Sequence, residues 1–254
     1  MTITVQSGVQ TMTGDEELID LTEVDLARSF VLIDATTTGA IATLPQEWSV
    51  SGYISDTTTL RLQRESSTIN ATVAWQVISC DEEEFLVSQV NSLITTGNTI
   101  RTHGIDEVDL SRTMLIYSAR TGASNSNIAH ATVEFASPSV MVTTRGATDS
   151  ARTYVRVEIV EWSLESGVTV ATDVTSVSGD LSSGITEAHG ATVTTDNTWL
   201  YAKCNHATAG LEQIALKVTF DATNITMTRH TTTNDYTSSV GWQLVTFPED
   251  ICYQ

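Results

Sequence analysis

The sequence predicts an all-β protein made of three tandem antiparallel β-sandwich modules of about 85 residues each. Two observations lead to this prediction: a motif that recurs at a nearly constant spacing, and alternation of apolar and polar residues inside that motif. The composition agrees, because Thr, Val and Ile are abundant and the chain has only three prolines. Short alternating segments separated by turn residues are typical of sandwiches and barrels.

The first half of the repeat is an acidic motif followed by an apolar run. The motif EVDLAR at 23–28 returns as EVDLSR at 107–112, a shift of 84 residues. Apolar runs follow at 30–33 and 114–117, and a third lies at 199–201. We therefore expect the same strand in each module.

The second half of the repeat is a strand that ends in arginine, a polar loop and a closing strand. The arginines are Arg64, Arg145 and Arg229, spaced 81 and 84 residues apart. Because both strands alternate and the loop is polar, we expect each pair to form a β-hairpin with a long loop. The residues predicted to be buried at matching positions of the closing strands are Trp75, Val157 and Trp242.

The predicted module boundaries are 1–84, 85–167 and 168–254, since short apolar strands recur at 3–5, 85–87 and 168–170. One segment, 15–26, could also form a helix. Its counterpart in the second copy contains Gly97 and Gly104, so we predict strand and loop in both copies.

Charge limits the classes of partner. The net charge is −19, from 12 Lys and Arg against 31 Asp and Glu. Such a surface repels phosphate backbones and anionic lipids, so we expect neither nucleic acid nor membrane as a partner. The N-terminal segment has neither the basic region nor the apolar region of a secretory signal. We expect synthesis in a host cytoplasm.

The sequence contains no recognisable catalytic motif. Nucleophile elbows, phosphate-binding loops and dinucleotide fingerprints are missing. The five histidines and three cysteines lack the spacing of metal ligands. We therefore expect no catalytic residue, metal or cofactor, and we interpret the acidic run at 81–84 as a solvated linker.

The segments TTTLRLQRESSTINATVAWQVIS and ITMTRHTTTNDYTSSVGWQLVTF resemble the last two strands of H-type lectin domains. The third copy follows the order of the family's motif, with Arg229, Asp235, Tyr236, Val240 and Trp242. The resemblance implies a six-stranded antiparallel sandwich that packs as a trimer. It also implies a glycan-binding set, which in this chain is Arg229, His230, Asp235 and Tyr236.

The repeated arginines have two interpretations. Each can end a strand and pair with a carboxylate such as Asp25 or Asp109, holding a loop in place. Alternatively, the loop arginine can grip the hydroxyl groups of a sugar, as the lectin resemblance implies. The residues alone leave both open.

The opening VQSGVQTMTG…EVDLARSFVLI also makes the repeat similar to modules in phage and prophage structural proteins. We expect a non-enzymatic virion structural protein of a tailed virus, as a capsid decoration, head spike or tail component. Its partners would be other virion proteins and itself, as a homotrimer. The alternative is a lectin or adhesin that binds a surface glycan. The threefold unit could form within one chain or by stacking modules of three chains, and the short junction at 79–84 favours stacking.

Overall fold

The computed structural model describes residues 3–37, 44–80, 83–124, 128–177, 184–191, 193–206, 216–229 and 238–248. Within these ranges the chain forms eighteen strands and one four-residue α-helix, Pro45–Trp48. The prediction of an all-β protein with three tandem sandwich modules is confirmed. In the described part of the chain, no helix is long and apolar enough to cross a membrane.

Each module contributes six strands. The first has β1 (Ile3–Met12), β2 (Glu16–Asp20), β3 (Ser29–Thr37), β4 (Ser51–Asp56), β5 (Thr59–Gln63) and β6 (Ala71–Cys80). The second has β7 (Phe85–Ile94), β8 (Ile100–Gly104), β9 (Thr113–Thr121), β10 (Ala131–Ser137), β11 (Val140–Arg145) and β12 (Thr153–Trp162). The third has β13 (Thr169–Val177), β14 (Ile185–Ala188), β15 (Thr198–His206), β16 (Leu216–Phe220), β17 (Asn224–Arg229) and β18 (Ser238–Thr246).

The six strands of a module form two three-stranded antiparallel sheets. We call β1-β6-β3, β7-β12-β9 and β13-β18-β15 the inner sheets, and β2-β5-β4, β8-β11-β10 and β14-β17-β16 the outer sheets. The strand pairing places Trp75, Val157 and Trp242 at the same register of the three central inner strands. The repeat in the sequence is therefore a repeat in strand register.

The predicted hairpins are wrong. β5 belongs to an outer sheet and β6 to an inner sheet, and the same holds for β11 with β12 and for β17 with β18. The polar loop between them crosses from one face of the sandwich to the other. Alternation could not reveal this, because two strands that face each other across a sandwich core alternate just as two paired strands do.

The segment weighed as a helix is a strand and a turn. It contains β2, and its counterpart in the second copy contains β8, as predicted. A single 3₁₀ turn, Leu26–Arg28, follows, and the Asp25 carboxylate caps it by accepting a hydrogen bond from the Ala27 N–H at 2.9 Å. A second 3₁₀ turn, Leu164–Ser166, precedes the third module.

Apolar side chains fill each sandwich and also a fourth cluster, which we call the shared core. It joins the outward faces of the three inner sheets. Its buried members are Phe30, Cys80, Phe85, Met114, Ile116, Val160, Trp162, Val168, Val170, Val245 and Phe247. Edge-to-face contacts run through it, with ring centroids 5.4 Å apart for Phe30 and Phe85, and 5.0 Å apart for Phe85 and Trp162.

The modules therefore lie side by side within one chain, and the end-to-end arrangement favoured by the short junctions is not what the structure shows. A short junction suffices here because Phe85, the first residue of β7, enters the shared core directly. Part of the predicted acidic linker is buried as well, since Glu84 is only 8% exposed.

Candidate functional site at the seams between modules

Each inner sheet has two edge strands, and one of the two faces a neighbouring module. β3, β9 and β15 each lie at the edge of a three-stranded sheet, so one side of each strand presents unpaired backbone N–H and C=O groups. These edges lie where two modules meet. We call the meeting of the first and second modules the first seam, that of the second and third modules the second seam, and that of the third and first modules the open seam.

At the second seam, two side chains of the third module cap the edge of β9. The Gln243 amide accepts a hydrogen bond from the Leu115 N–H at 2.6 Å and donates one to the Leu115 carbonyl at 2.6 Å. The Tyr201 hydroxyl accepts from the Tyr117 N–H at 3.0 Å and donates to the Tyr117 carbonyl at 2.8 Å. Burial raises the pKa of Tyr201, so its hydroxyl stays a donor at neutral pH.

At the first seam, a carboxyl group occupies the position of Gln243. Glu158 lies on β12 and accepts a hydrogen bond from the Val31 N–H at 2.7 Å. Burial raises the pKa of Glu158 to about 8, against the opposing effect of that hydrogen bond. Its second oxygen, Oε1, is buried and has no hydrogen-bond partner among the described residues. The protonated acid can, like the glutamine amide, accept one hydrogen bond and donate another.

Arginines of the second module add polar contacts to the first seam. Arg120 donates to the Gln63 side chain at 2.6 Å and pairs with the Glu65 carboxylate at 2.6 Å. The Arg156 guanidinium lies 4.0 Å from the centre of the Tyr53 ring. Side-chain charge therefore holds the first and second modules together in addition to the shared core.

The open seam has apolar walls and no such cap among the described residues. A groove of about 410 Å³ runs along it, with Val5, Leu32, Gln76 and Trp199 in its lining. A cavity of about 530 Å³ shares part of that lining. Gln76 is exposed, in contrast to its counterparts Glu158 and Gln243. The capping hydrogen bonds of Gln243, Tyr201 and Glu158 belong to the first and second seams.

A smaller cavity of about 210 Å³ lies where all three modules approach one another. Its lining includes Asp34, His130 and Lys203, one from each module. Burial lowers the pKa of His130 to about 4, so its imidazole is neutral at physiological pH. In the part of the chain that the structure describes, no three His, Cys, Asp or Glu side chains are grouped so as to hold a metal ion.

The predicted glycan-binding residues are only partly within the described ranges. Arg229 ends β17, whereas His230, Asp235 and Tyr236 lie outside those ranges. Of the predicted core residues, Val157 and Trp242 are buried. Trp75 is half-buried and packs against the core of the first sandwich.

The counterparts of Arg229 in the other two modules are buried and bind backbone. Arg145 donates to the carbonyls of Asn98, Thr95 and Ala151 at 2.8, 3.2 and 2.9 Å. Its exposed fraction is 1%. A guanidinium group so enclosed holds together the loops that it touches, because it binds three backbone carbonyls at once.

Arg64 has the same role in the first module, where it donates to the carbonyls of Gly14, Met12 and Ile69 at 2.9, 3.0 and 2.5 Å. The loop-holding interpretation thus describes these two arginines, with carbonyls in place of carboxylates. For the repeated pair Arg28 and Arg112, the predicted partner is a carboxylate. Arg112 has that partner, since its guanidinium lies 3.2 Å from the Asp109 carboxylate.

Sequence reasoning missed the residues at the seams. The signal was present, because Gln76, Glu158 and Gln243 recur at one repeat position as polar residues between apolar neighbours. A scan against models of known protein families and a search of curated proteins both find no match for this chain.

Proposed function

We propose that this protein is a non-enzymatic structural component of a tailed-virus particle, acting as a capsid decoration, head spike or tail protein. The observation that carries the proposal is the shared core, in which equivalent sheets of three repeated modules pack against one another. A single chain thereby supplies three equivalent modules around one core, as a closed symmetric oligomer does with three chains.

Buried polar contacts within and between the modules support this structural role. Buried arginines bind the loops of two modules from inside, and side chains cap the strand edges at two seams. The arginines make the loops rigid, and the capping side chains make the module interfaces rigid. The net charge of −19 keeps such a unit soluble and discourages contact with nucleic acid.

Mass spectrometry of density-purified particles tests the proposal. We expect the chain in the particles at a fixed ratio to the major capsid protein, with the particle-free lysate fraction as the control. A chain found only in that lysate fraction contradicts the proposal.

A glycan array offers the second test. Binding of one glycan class that Arg229→Ala abolishes would instead support the lectin alternative.

Association of three chains with one another stays a prediction. Light scattering on the purified protein tests it, because a homotrimer has three times the chain mass of 27.4 kDa. A mass of one chain at micromolar concentration contradicts the homotrimer and leaves the shared core as the source of the threefold arrangement.

A further inference from the structure

We infer that the open seam closes on itself, and that the Gln76 side chain then caps the free edge of β15 at Leu200. This closure completes the threefold unit of the chain, wherever the protein functions.

The capping side chains are equivalent in the three modules. In the inner sheets, Gln76 lies opposite Leu32, Glu158 opposite Ile116 and Gln243 opposite Tyr201. Two of these three positions already carry a side chain that binds the neighbouring module. Gln76 has the same amide group as Gln243, so it can accept from an N–H and donate to a carbonyl in the same way.

The residues whose backbone receives the cap are equivalent as well. Val31, Leu115 and Leu200 occupy one register, because they lie opposite Val77, Ile159 and Leu244. Alternate residues of an edge strand point their N–H and C=O groups away from the sheet. Because the Val31 and Leu115 N–H groups face the neighbouring module, the Leu200 N–H also points outward, toward the first module.

Apolar surface lies between the Gln76 side chain and the Leu200 backbone. Val5 is 56% exposed, and with Leu32 and Trp199 it lines the groove of the open seam. At the two closed seams, the corresponding surface packs together. Closure removes apolar surface from water, which favours it over the open arrangement.

Two features of the structure explain why this seam is open while the other two are closed. Tyr201 gives the second seam an additional cap, but its counterpart in the first module is Leu32, which has no hydroxyl group. Short junctions tether the first module to the second and the second to the third, whereas no junction joins the third to the first. The open seam therefore has no covalent junction to keep its two modules together. For this reason it opens more readily than the other two seams.

Hydrogen exchange of the backbone amides, followed by NMR on the full chain, tests the inference. We expect the Leu200 amide to be protected, and Gln76→Ala to speed its exchange by about threefold or more. The Leu115 amide, capped by Gln243, serves as the internal control and should not change. Gln76 is exposed when the seam is open, so the substitution removes no packing inside the sandwich of the first module.

Gln76→Glu provides a second variant with its own signature. If Gln76 reaches Leu200, the carboxylate formed as pH rises loses the contact with the Leu200 carbonyl, and exchange at Leu200 becomes faster with pH than in the wild type. Leu200 exchange that neither variant alters overturns the inference. Protection that grows with protein concentration also overturns it, because a second copy then fills the seam.

Discussion

Glu158 and Gln243 occupy the same position of the repeat, and each binds the backbone N–H of the equivalent residue in the neighbouring module, at 2.7 and 2.6 Å. One seam therefore depends on a carboxyl group and the other on an amide. The amide satisfies both backbone groups of Leu115 at any pH. The carboxyl group can imitate it only when protonated, which gives the first seam a dependence on pH that the second lacks.

We expect the stability of the protein to fall as pH rises from about 4.5 to about 8. The pKa of Glu158 is raised from 4.5 to about 8 in the folded chain, so over this window the folded state keeps a proton that the unfolded state releases. Above that window the loss is complete and constant. Each pKa unit corresponds to about 1.4 kcal/mol, so the loss amounts to several kcal/mol at most. Urea unfolding between pH 5 and pH 9 measures it.

Two reciprocal variants isolate the effect. Glu158→Gln should flatten the pH dependence and stabilise the protein most at the alkaline end. Gln243→Glu should add a second loss of the same sign at the second seam. Burial and the charge of Glu158 both raise the pKa of Tyr201, so its hydroxyl stays protonated throughout this range. A Glu158→Gln variant that keeps the full wild-type slope contradicts the assignment.

The sequence predicted the strands, but it could not predict which strands pair. Leu60 and Leu62 are fully buried on β5, as their alternation indicates. The same alternation suits a hairpin and a loop that crosses the sandwich, so the partner of β5 could not be identified. The seams were hidden for another reason. The repeat marks one polar position, occupied by Gln76, Glu158 and Gln243, but the environment of that position depends on the neighbouring module. A local sequence pattern does not report contacts between residues more than a hundred positions apart.

The buried arginine of the second module should be essential for its stability. Arg145→Ala removes three hydrogen bonds from a buried charged group to the carbonyls of Asn98, Thr95 and Ala151, and a hydrogen bond to a charged group contributes about 1.5–3 kcal/mol. We expect a loss of about 3 kcal/mol or more in denaturant unfolding. Arg101→Ala is the matched control, since that side chain is exposed on β8 and should change stability by less than about 0.5 kcal/mol. Equal losses for the two variants contradict the role of Arg145.

The hydroxyl of Tyr201 should hold the second seam closed. Tyr201→Phe keeps the ring and its packing but removes both hydrogen bonds to the Tyr117 backbone. We expect a loss of about 1–3 kcal/mol and faster amide exchange at Tyr117. The control is Tyr154→Phe, whose ring packs under Arg120 at 4.5 Å and should retain that contact. An unchanged Tyr117 amide in Tyr201→Phe would show that the cap contributes nothing.

The two tryptophans at one repeat position should differ in their contribution to stability. Trp242 is 2% exposed and donates its indole N–H to the Thr175 hydroxyl at 3.0 Å, so Trp242→Ala should cost about 3–5 kcal/mol. Trp75 is half-buried, and its ring lies over Gly8 at the edge of the first sandwich, so Trp75→Ala should cost less. Circular dichroism melts of the two variants give the comparison, and Trp242→Phe separates the lost hydrogen bond from the lost volume. If Trp75→Ala melts at or below the temperature of Trp242→Ala, burial does not rank the two positions. The exposed side of Trp75 would then have to be covered by something other than the residues described around it.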